Sequence, residues 1–337
     1  MAGDAPGPAG ALLDVHPLAI ELGERFRAAG HRLYLVGGAV RDTVLQRPHD
    51  ELDFATDARP EQTLAVIQGW AERRYLQGIR FGTVGAWKDG HALEITTFRQ
   101  EVYRSDDRHP EVTFGHRIEV DLSRRDFTVN AMAVLLPERE LIDPFHGLRD
   151  LAARRLDTPL DPEVAFSDDP LRMLRAARFV ATLGLVPVPR VKEAIRRMAG
   201  RLSIVSPERI RDELSKLLLA PDPTPGLELA VETGLADQFL PEVPALRLEQ
   251  DPVHRHKDVL RHTLVVVKRC EPDLVLRLGA HLHDIGKPAT RRITPEGVQF
   301  HHHEVVGARM ARERLRALRD PNEVVEDVAR LVELHRR

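Results

Sequence analysis

Residues 50–56 read DELDFAT, three acidic side chains within four positions and no basic residue among them. If the run is a strand, alternation puts Glu51 and Asp53 on one face and Asp50 with Leu52 on the other. Two same-face carboxylates about 7 Å apart suit a divalent cation that prefers oxygen ligands, Mg2+ above all. Taken alone, such an E-x-D run is as readily a solvated strand end. Its neighbours shift the balance. Upstream, "LVGGAVRD" carries Gly37 and Gly38, where bare backbone can approach a phosphate at a helix start, and Arg41 one turn on can add a bidentate contact. A glycine pair after a strand is otherwise a routine tight turn. Downstream, "HALEITTF" places Glu94 alone among strand-like neighbours, where an unpaired buried carboxylate would be costly. Phosphate cradle, E-x-D strand and third carboxylate together outline a two-metal nucleotidyl-transfer constellation.

These residues need a scaffold, and the chain is long enough to supply one. It has 337 residues, 42% hydrophobic and 30% charged, enough for two or three domains. "HRLYLVGGAV" reads as a strand ending in the glycine pair, "AVRDTVLQ" as a short helix, and "ELDFAT" as a second strand. "ARPEQTLAVIQGWAERR" reads as an amphipathic helix over 58–74. "FGTVGAWK" and "HALEITTFR" are β-rich runs joined by the turn signal "DGH", and "FTVNAMAVLL" is a further apolar run. Beyond about residue 150 helical periodicity takes over, with Pro-rich breaks at 220–226 and 241–252. The expected class is α+β: a flexible lead (1–15), a mixed-sheet head with helices (16–150), an all-α neck (151–245) and an all-α tail domain (246–337).

Composition narrows the partners and the compartment. A net charge of −3 gives no overall positive field, so any nucleic acid must be held by local basic patches. The single cysteine, Cys270, excludes an internal disulfide and a multi-cysteine zinc site and fits a reducing cytosol. The N-terminus lacks a basic region and a long apolar run, and no stretch approaches the ~18 apolar residues of a membrane span. Aromatics, at 5%, leave little for an extended base-stacking platform. A cytoplasmic, soluble protein without a stable protein partner is expected.

Further along lie three basic or histidine-rich segments. "DLSRRDFTVNAMA" offers Arg124, Arg125, Asp126 and Asn130, which could equally be a surface ion-pair cluster before a buried strand. In "SDDPLRMLRAARF", Asp169 and Arg172 are three apart at a helix start, close enough for a plain cap and salt bridge. The same pair has a second use. Cytosine and adenine present an amine beside a ring-nitrogen acceptor, whereas uracil and guanine present a carbonyl beside an N–H, so a carboxylate with a guanidinium accepts the first two and rejects the others. "RVKEAIRRMAGRL" and "SPERIRDELSKLL" carry Arg190, Lys192, Arg196, Arg197, Arg201, Arg209, Arg211 and Lys216, either solvated helix faces or phosphate contacts.

Taken in order, "LVGGAVRD", "RPHDELDFATDARPE", "FGTV", "LEITTFR", "YRSDDRHPEVTF", "DLSRRDFTVNAMA" and "DDPLRMLRAARF" resemble the class II tRNA nucleotidyltransferase (CCA-adding enzyme) and bacterial poly(A) polymerase family, continuously from about residue 33 to 220. The "FGTV" and "LEITTFR" segments are similar to the CCA-adding branch. The resemblance implies a Mg2+-dependent enzyme that adds C, C and A to the 3′ end of tRNA from CTP and ATP. An A-only enzyme or a poly(A) polymerase is the alternative. It implies that Gly37, Gly38 and Arg41 sit on the triphosphate, that Glu51 and Asp53 hold the metals, and that Glu94 activates the 3′-hydroxyl. Arg125 would meet nucleotide phosphates, Asp126 and Asn130 the ribose, and Asp169 and Arg172 the base, with Arg175 and Arg178 following on phosphate or base. Arg196, Arg197 and Arg209 are candidate tRNA contacts. Residues 97–114 cover the family's flexible loop used for A addition. Two departures stand out: Glu51 where the family usually has Asp, and Asp168 where it usually has Glu.

The tail, with "RHTLVVVKRC", "GAHLHDIGKP" and "FHHHEVVGARMA", resembles an HD domain. His262, His283 and Asp284 would bind a second divalent, transition-type metal, with His303 a further candidate. In some relatives this domain is a metal phosphohydrolase, which makes hydrolysis a second alternative activity. The pattern also expects a later Asp. After His335 the sequence stops with that ligand unassigned, as a chain cut short would.

Overall fold

Apolar alternation in "LYLV", "ELDFAT" and "HALEITT" produces three adjacent strands of one sheet. The computed structural model describes residues 13–48, 51–103, 111–114, 117–248, 258–295 and 297–335. The chain divides into two compact units, one running to Ala153 and taking in Asp157–Leu160, the other made of Arg154–Leu156 and the chain from Asp161.

The first unit contains α1 (Pro17–Ala28), β1 (Leu33–Val36), α2 (Gly38–Val44), β2 (Glu51–Thr56), α3 (Pro60–Val66), β3 (Arg73–Tyr75), β4 (Thr83–Lys88), β5 (His91–Thr97), β6 (Arg99–Tyr103), β7 (Glu111–Phe114), α4 (Ile118–Ser123), β8 (Ala133–Leu136), β9 (Glu140–Ile142) and α5 (Gly147–Ala152). Seven strands form a mixed sheet in the order β3-β4-β5-β2-β1-β8-β9. Only β2 and β5 run parallel in it; the other neighbours are antiparallel.

Alternation sorts the two faces. Leu33, Leu35, Leu52, Phe54, Val84, Ala86, Leu93 and Ile95 join Leu18, Leu22 and Phe26 of α1 in one core. From the opposite face Tyr34, Val36, Ala55 and Ala133 pack with Phe98, Ile118 and Leu122. A buried Leu or Phe is worth roughly 1.5–3 kcal/mol, and a one-residue slip of β2 would replace Leu52 and Phe54 in the first core by acids. That penalty fixes Glu51 and Asp53 on the second face. The β4–β5 hairpin turns at Asp89 (φ 46°) and Gly90 (φ 82°), the left-handed pair that an Asp-Gly primed turn requires.

The helix expected over 58–74 is a correction. α3 ends at Val66, Gly69 takes φ 73°, and Arg73–Tyr75 become β3, paired antiparallel with β4. The left-handed glycine ends the helix, and the edge of β4 offers the following residues backbone hydrogen bonds. "FTVNAMAVLL" likewise divides, with a 3-10 turn at Thr128–Asn130 before β8. Of the segment 97–114, β6 and β7 form an antiparallel pair, whereas 104–110 lie outside the described residues.

The second unit comprises β10 (Arg155–Leu156), α6 (Pro162–Asp168), α7 (Leu171–Leu183), β11 (Val186–Pro187), α8 (Pro189–Met198), α9 (Pro207–Leu218), α10 (Thr224–Glu232), α11 (Val259–Arg269), α12 (Leu274–Leu282), α13 (Lys287–Thr290), β12 (Arg291–Thr294), β13 (Gly297–Phe300), α14 (His303–Ala317) and α15 (Asn322–Leu334). The tail expected to be all-α therefore carries a small hairpin, β12 with β13. Helix α7 packs against α9 and α10. Gly226 permits that approach, because a side chain there would collide with the Ala177 carbonyl.

Arg277 on α12 is buried at 2% exposure. It donates to the carbonyls of Leu218, the last residue of α9, of Ala220 just beyond it and of Cys270 after α11. A guanidinium at two helix C-termini satisfies orphan carbonyls and complements both dipoles. Arg277→Ala leaves buried acceptors without donors at about 1–3 kcal/mol each, so the full chain is expected to lose on the order of 2–5 kcal/mol in urea denaturation. An unchanged midpoint would contradict this role.

Candidate active site

The parallel pairing of β2 and β5 puts Asp53 directly opposite Glu94. Glu51 projects from the same face two residues before Asp53, while Leu52 and Phe54 are buried on the other. Asp50 lies outside the described residues. Glu51 and Glu94 are exposed and Asp53 is half-buried. Burial, then the charge of Glu94, push the Asp53 carboxyl above its usual value. Glu51 adds to this and Arg125 opposes it. Three acids against one guanidinium leave a local excess of negative charge that favours a cation.

The glycine turn borders the same place. Gly37 adopts φ 71°, and a Cβ there would sit 2.9 Å from Arg125 Nη1 and 3.9 Å from Asp53 Oδ2. Glycine is required for the backbone angle, and a Cβ would also push the end of Arg125 aside. Gly38 begins α2, and its open side faces Arg41 Nη2. Arg41 binds both Asp42 oxygens, at 2.9 and 2.8 Å, and donates through Nη1 to Asn130 Oδ1 at 2.7 Å. Asn130 Nδ2 donates in turn to Asp126 Oδ1 at 3.0 Å, which also accepts from Phe127 N. Arg125 Nη2 pairs with Asp121 at 3.2 Å, and its buried Nε has no hydrogen-bond partner among the described residues. Gly37, Arg125 and Asp53 thus adjoin one another, and Gly38 adjoins a network of Arg41, Asn130 and Asp126. In this network Arg41 is a brace for Asn130, a position that motif spacing alone did not give.

In the second unit the chain breaks helicity between α6 and α7 at Asp169, whose backbone is extended. Asp169 Oδ1 accepts from Leu171 N at 3.2 Å, and Oδ2 pairs with Arg209 Nη2 at 2.7 Å. Arg172 Nη1 donates to the Ala165 carbonyl at 3.3 Å. Arg178 Nε (2.7 Å) and Arg175 Nη1 (3.9 Å) flank Glu213, which is buried at 5% exposure. Of the candidate tRNA contacts, Arg209 is the partner of Asp169, Arg197 pairs with Glu163 at 2.6 Å and Arg196 with Glu193 at 3.4 Å. Exposed pairs of this kind are worth about 0–1 kcal/mol, so phosphates could exchange with the acids.

The histidine cluster gathers four segments. His262 lies on α11, His283 and Asp284 follow α12, His303 opens α14, and His335 follows α15. Two groups share Asp284: His262 with His283, and His303 with His335, each set of ligand atoms within 4.8 Å. Asp284 Oδ2 is 3.1 Å from His283 Nε2, and Oδ1 is 3.6 and 3.9 Å from Nε2 of His303 and His335. The Nδ1 atoms of His283, His303 and His335 lie 2.7–2.8 Å from the carbonyls of Ala280, Phe300 and Val332. With each Nδ1 held against a carbonyl, each Nε2 is turned toward Asp284, the orientation that metal-binding histidines adopt. Burial opposes ionisation of Asp284, but the hydrogen bonds and charges of His283 and Lys287 hold its carboxyl far below the usual range. The donor set fits a divalent transition metal. The later Asp of the sequence pattern stays unassigned, and His335 joins the cluster instead as a residue that only counting histidines beyond the motif could have flagged.

The acid cluster has a measurable consequence. A carboxyl whose folded pKa is raised loses stability as pH rises from the ordinary carboxylate range through that raised value. In chelator-treated protein, Asp53→Asn is therefore expected to raise the melting temperature at pH 8 by a few degrees, with the gain vanishing toward pH 3–4. A loss of stability at pH 8, or a gain independent of pH, would contradict the electrostatic account.

Three protein families match in order: the Poly A polymerase head domain at residues 33–157, the probable RNA and SrmB-binding site of polymerase A at 187–246, and the HD domain at 259–337. The CCA-adding enzyme of Anoxybacillus flavithermus is 42% identical over 232 residues, 68% of this chain and 57% of the relative. That of Leuconostoc citreum is 41% identical over 219 residues, 65% of this chain and 53% of the relative. The chain thus spans little more than half the length of these relatives. The crystal structure of the Bacillus stearothermophilus CCA-adding enzyme in complex with CTP superposes with a TM-score of 0.69 at 30% identity, covering 95% of this chain and 70% of that one. The Thermotoga maritima CCA-adding enzyme complexed with tRNA_CCA shares the fold, with a TM-score of 0.59 at 20% identity over 95% of this chain and 80% of that one. With its head, RNA-binding and HD segments in this order and a homologue of known structure matched over most of its length, the chain belongs to the CCA-adding enzyme family.

Proposed function

We propose that the protein adds C, C and A to the 3′ end of tRNA from CTP and ATP, with Mg2+ and without a nucleic-acid template. The observation that carries this reading is the Asp53–Glu94 register, with Glu51 on the same face and Gly37 and Arg125 alongside. Glu51 and Asp53 would hold the metal, which supplies Lewis-acid activation and charge neutralisation when bound. Glu94 accepts the proton as the 3′-hydroxyl attacks the α-phosphate. The new O3′–P bond forms, the bond to the β-phosphate bridging oxygen breaks, and pyrophosphate leaves. Arg125 and the open backbone at Gly37 and Gly38 hold the triphosphate, and Asp126 and Asn130, braced by Arg41, hold the ribose.

Base choice is assigned to Asp169, accepting from the exocyclic amine, and Arg172, donating to the ring nitrogen. Arg209 keeps the Asp169 carboxylate oriented. Residues 151–245 would select nucleotide and hold tRNA, and 246–337 would form the HD part. No helix of the described residues is long and apolar enough to cross a membrane, which supports a cytoplasmic site of action.

Chelated and Mg2+-restored protein, given tRNA lacking CCA, is expected to incorporate label from CTP, and from ATP only after CTP. Incorporation of neither nucleotide would sink the reading; ATP alone onto tRNA ending in CC would select an A-only enzyme. In the same assay Arg172→Ala is expected to lose tenfold or more of the preference for CTP over UTP, the scale of one bidentate base contact. Full selectivity would remove Arg172 from base choice.

The five-residue cluster around Asp284 supports a second activity, metal-dependent hydrolysis of a phosphoester such as a 2′,3′-cyclic phosphate. Protein loaded with Mn2+ or Ni2+ is expected to open that ester, and Asp284→Ala to stop this while CTP incorporation continues. No hydrolysis by the loaded wild type would leave the cluster a structural metal site.

A further inference from the structure

The carboxylate face extends to the edge of the sheet. β3 is a terminal strand, and Arg73, Arg74 and Tyr75 are all exposed on it. The register is continuous from this edge to the acids: Tyr75 lies opposite Gly85, Gly85 opposite Glu94, and Glu94 opposite Asp53. The neighbouring row is Arg73, Trp87, Ala92 and Glu51. Directly opposed residues project from the same face, so Tyr75 and Arg73 rise on the side that carries the three acids. Tyr75 leans inward, since a Cβ on Gly85 would lie 3.1 Å from its Cβ and 3.5 Å from its Cδ2. Gly85 leaves the floor between the ring and Glu94 bare. With strands about 4.8 Å apart, Tyr75 stands about 10 Å from the Glu94 strand.

The two sides of Asp53 differ. The glycine turn after β1 and Arg125, both fitted to phosphate, lie on its β1 side. β5, β4 and β3 lie on the other. In phosphoryl transfer the attacking and leaving oxygens are roughly in line on opposite sides of the phosphorus. If the leaving pyrophosphate is held toward β1, the attacking hydroxyl approaches from the β5–β3 side. A large aromatic ring 46% exposed, with an exposed arginine two residues along the same face, is suited to a base and its phosphate. Stacked nucleotides rise by about 3.4 Å each, so about 10 Å is a span of two to three of them.

We propose that Tyr75, with Arg73 beside it, is the stacking platform for the unpaired 3′ end of the RNA acceptor, holding the nucleotides just before the reacting hydroxyl. This deepens the proposed transfer reaction and rests on it. It needs one ring, not an extended aromatic surface, and so agrees with a chain that has few aromatics. Because Tyr75 and Arg73 are exposed, replacing them leaves the cores intact, which thermal melting checks.

The test uses the full chain and tRNA ending in CC, with 2-aminopurine in place of the penultimate nucleotide. Binding to the wild type is expected to quench the probe. Tyr75→Ala is expected to abolish the quench and raise the KM for tRNA about tenfold, the scale of one lost base stack, with the KM for ATP unchanged. Tyr75→Phe retains both, and Arg73→Gln lowers the salt dependence of tRNA binding by about one phosphate contact. Wild-type quench and KM in Tyr75→Ala would overturn the proposal, as would a Phe variant as impaired as Ala. The fluorescence needs no turnover. Absence of incorporation by the wild type would therefore refute the transfer reading, while the quench would still decide whether Tyr75 meets RNA.

Discussion

Asp53 and Glu94 stand opposite each other because β2 and β5 are the one parallel pair in an otherwise antiparallel sheet. Parallel pairing runs two separate strands side by side in one direction, and here the register sets an acid of each at the same level. Their mutual repulsion, increased by burial of Asp53 and by Glu51, is a cost that the fold accepts. The hydrophobic alternation that buries Leu52, Phe54, Leu93 and Ile95 holds the carboxylates in place against it. Arg125 relieves part of the negative charge, and a bound cation would relieve the rest. Gly37 and Gly85 then matter for what they lack, since each leaves room beside an acid that a side chain would fill.

The second unit treats buried charge differently. Glu213 is enclosed, but Arg175 and Arg178 answer it. Arg277 is enclosed with backbone carbonyls as its partners, at the ends of two helices. Asp284 is surrounded by imidazoles whose outer nitrogens are anchored to carbonyls, leaving the inner ones free to converge. The first two arrangements satisfy buried charge within the fold; the third pre-orients its donors before any ligand arrives, which lowers the ordering cost of binding.

Much of this was legible from local pattern. The period-two alternation in "ELDFAT" identified the paired acids, and the Asp-Gly dipeptide located the β4–β5 hairpin, because both depend on residues adjacent in sequence. β3 was hidden because apolar spacing continued through a left-handed glycine, and strand identity came from β4, which follows later in the chain. The partner of Glu94 could not be read either, since parallel register is set by packing and not by a turn. His335 escaped for a similar reason: it joins the cluster only once α15 lies against α12 and α14. That Arg196, Arg197 and Arg209 each have a carboxylate partner could not be read either, since charge counts do not reveal who faces whom.

The account stands on Glu51 and Asp53 sharing a metal beside Glu94. Crystals of the chain grown with CTP and Mn2+ and measured at the manganese absorption edge would locate that metal directly. The account predicts anomalous density in contact with carboxylate oxygens of both Glu51 and Asp53. Density bound by Asp50 in place of Glu51, or none at β2 with nucleotide bound, would contradict it.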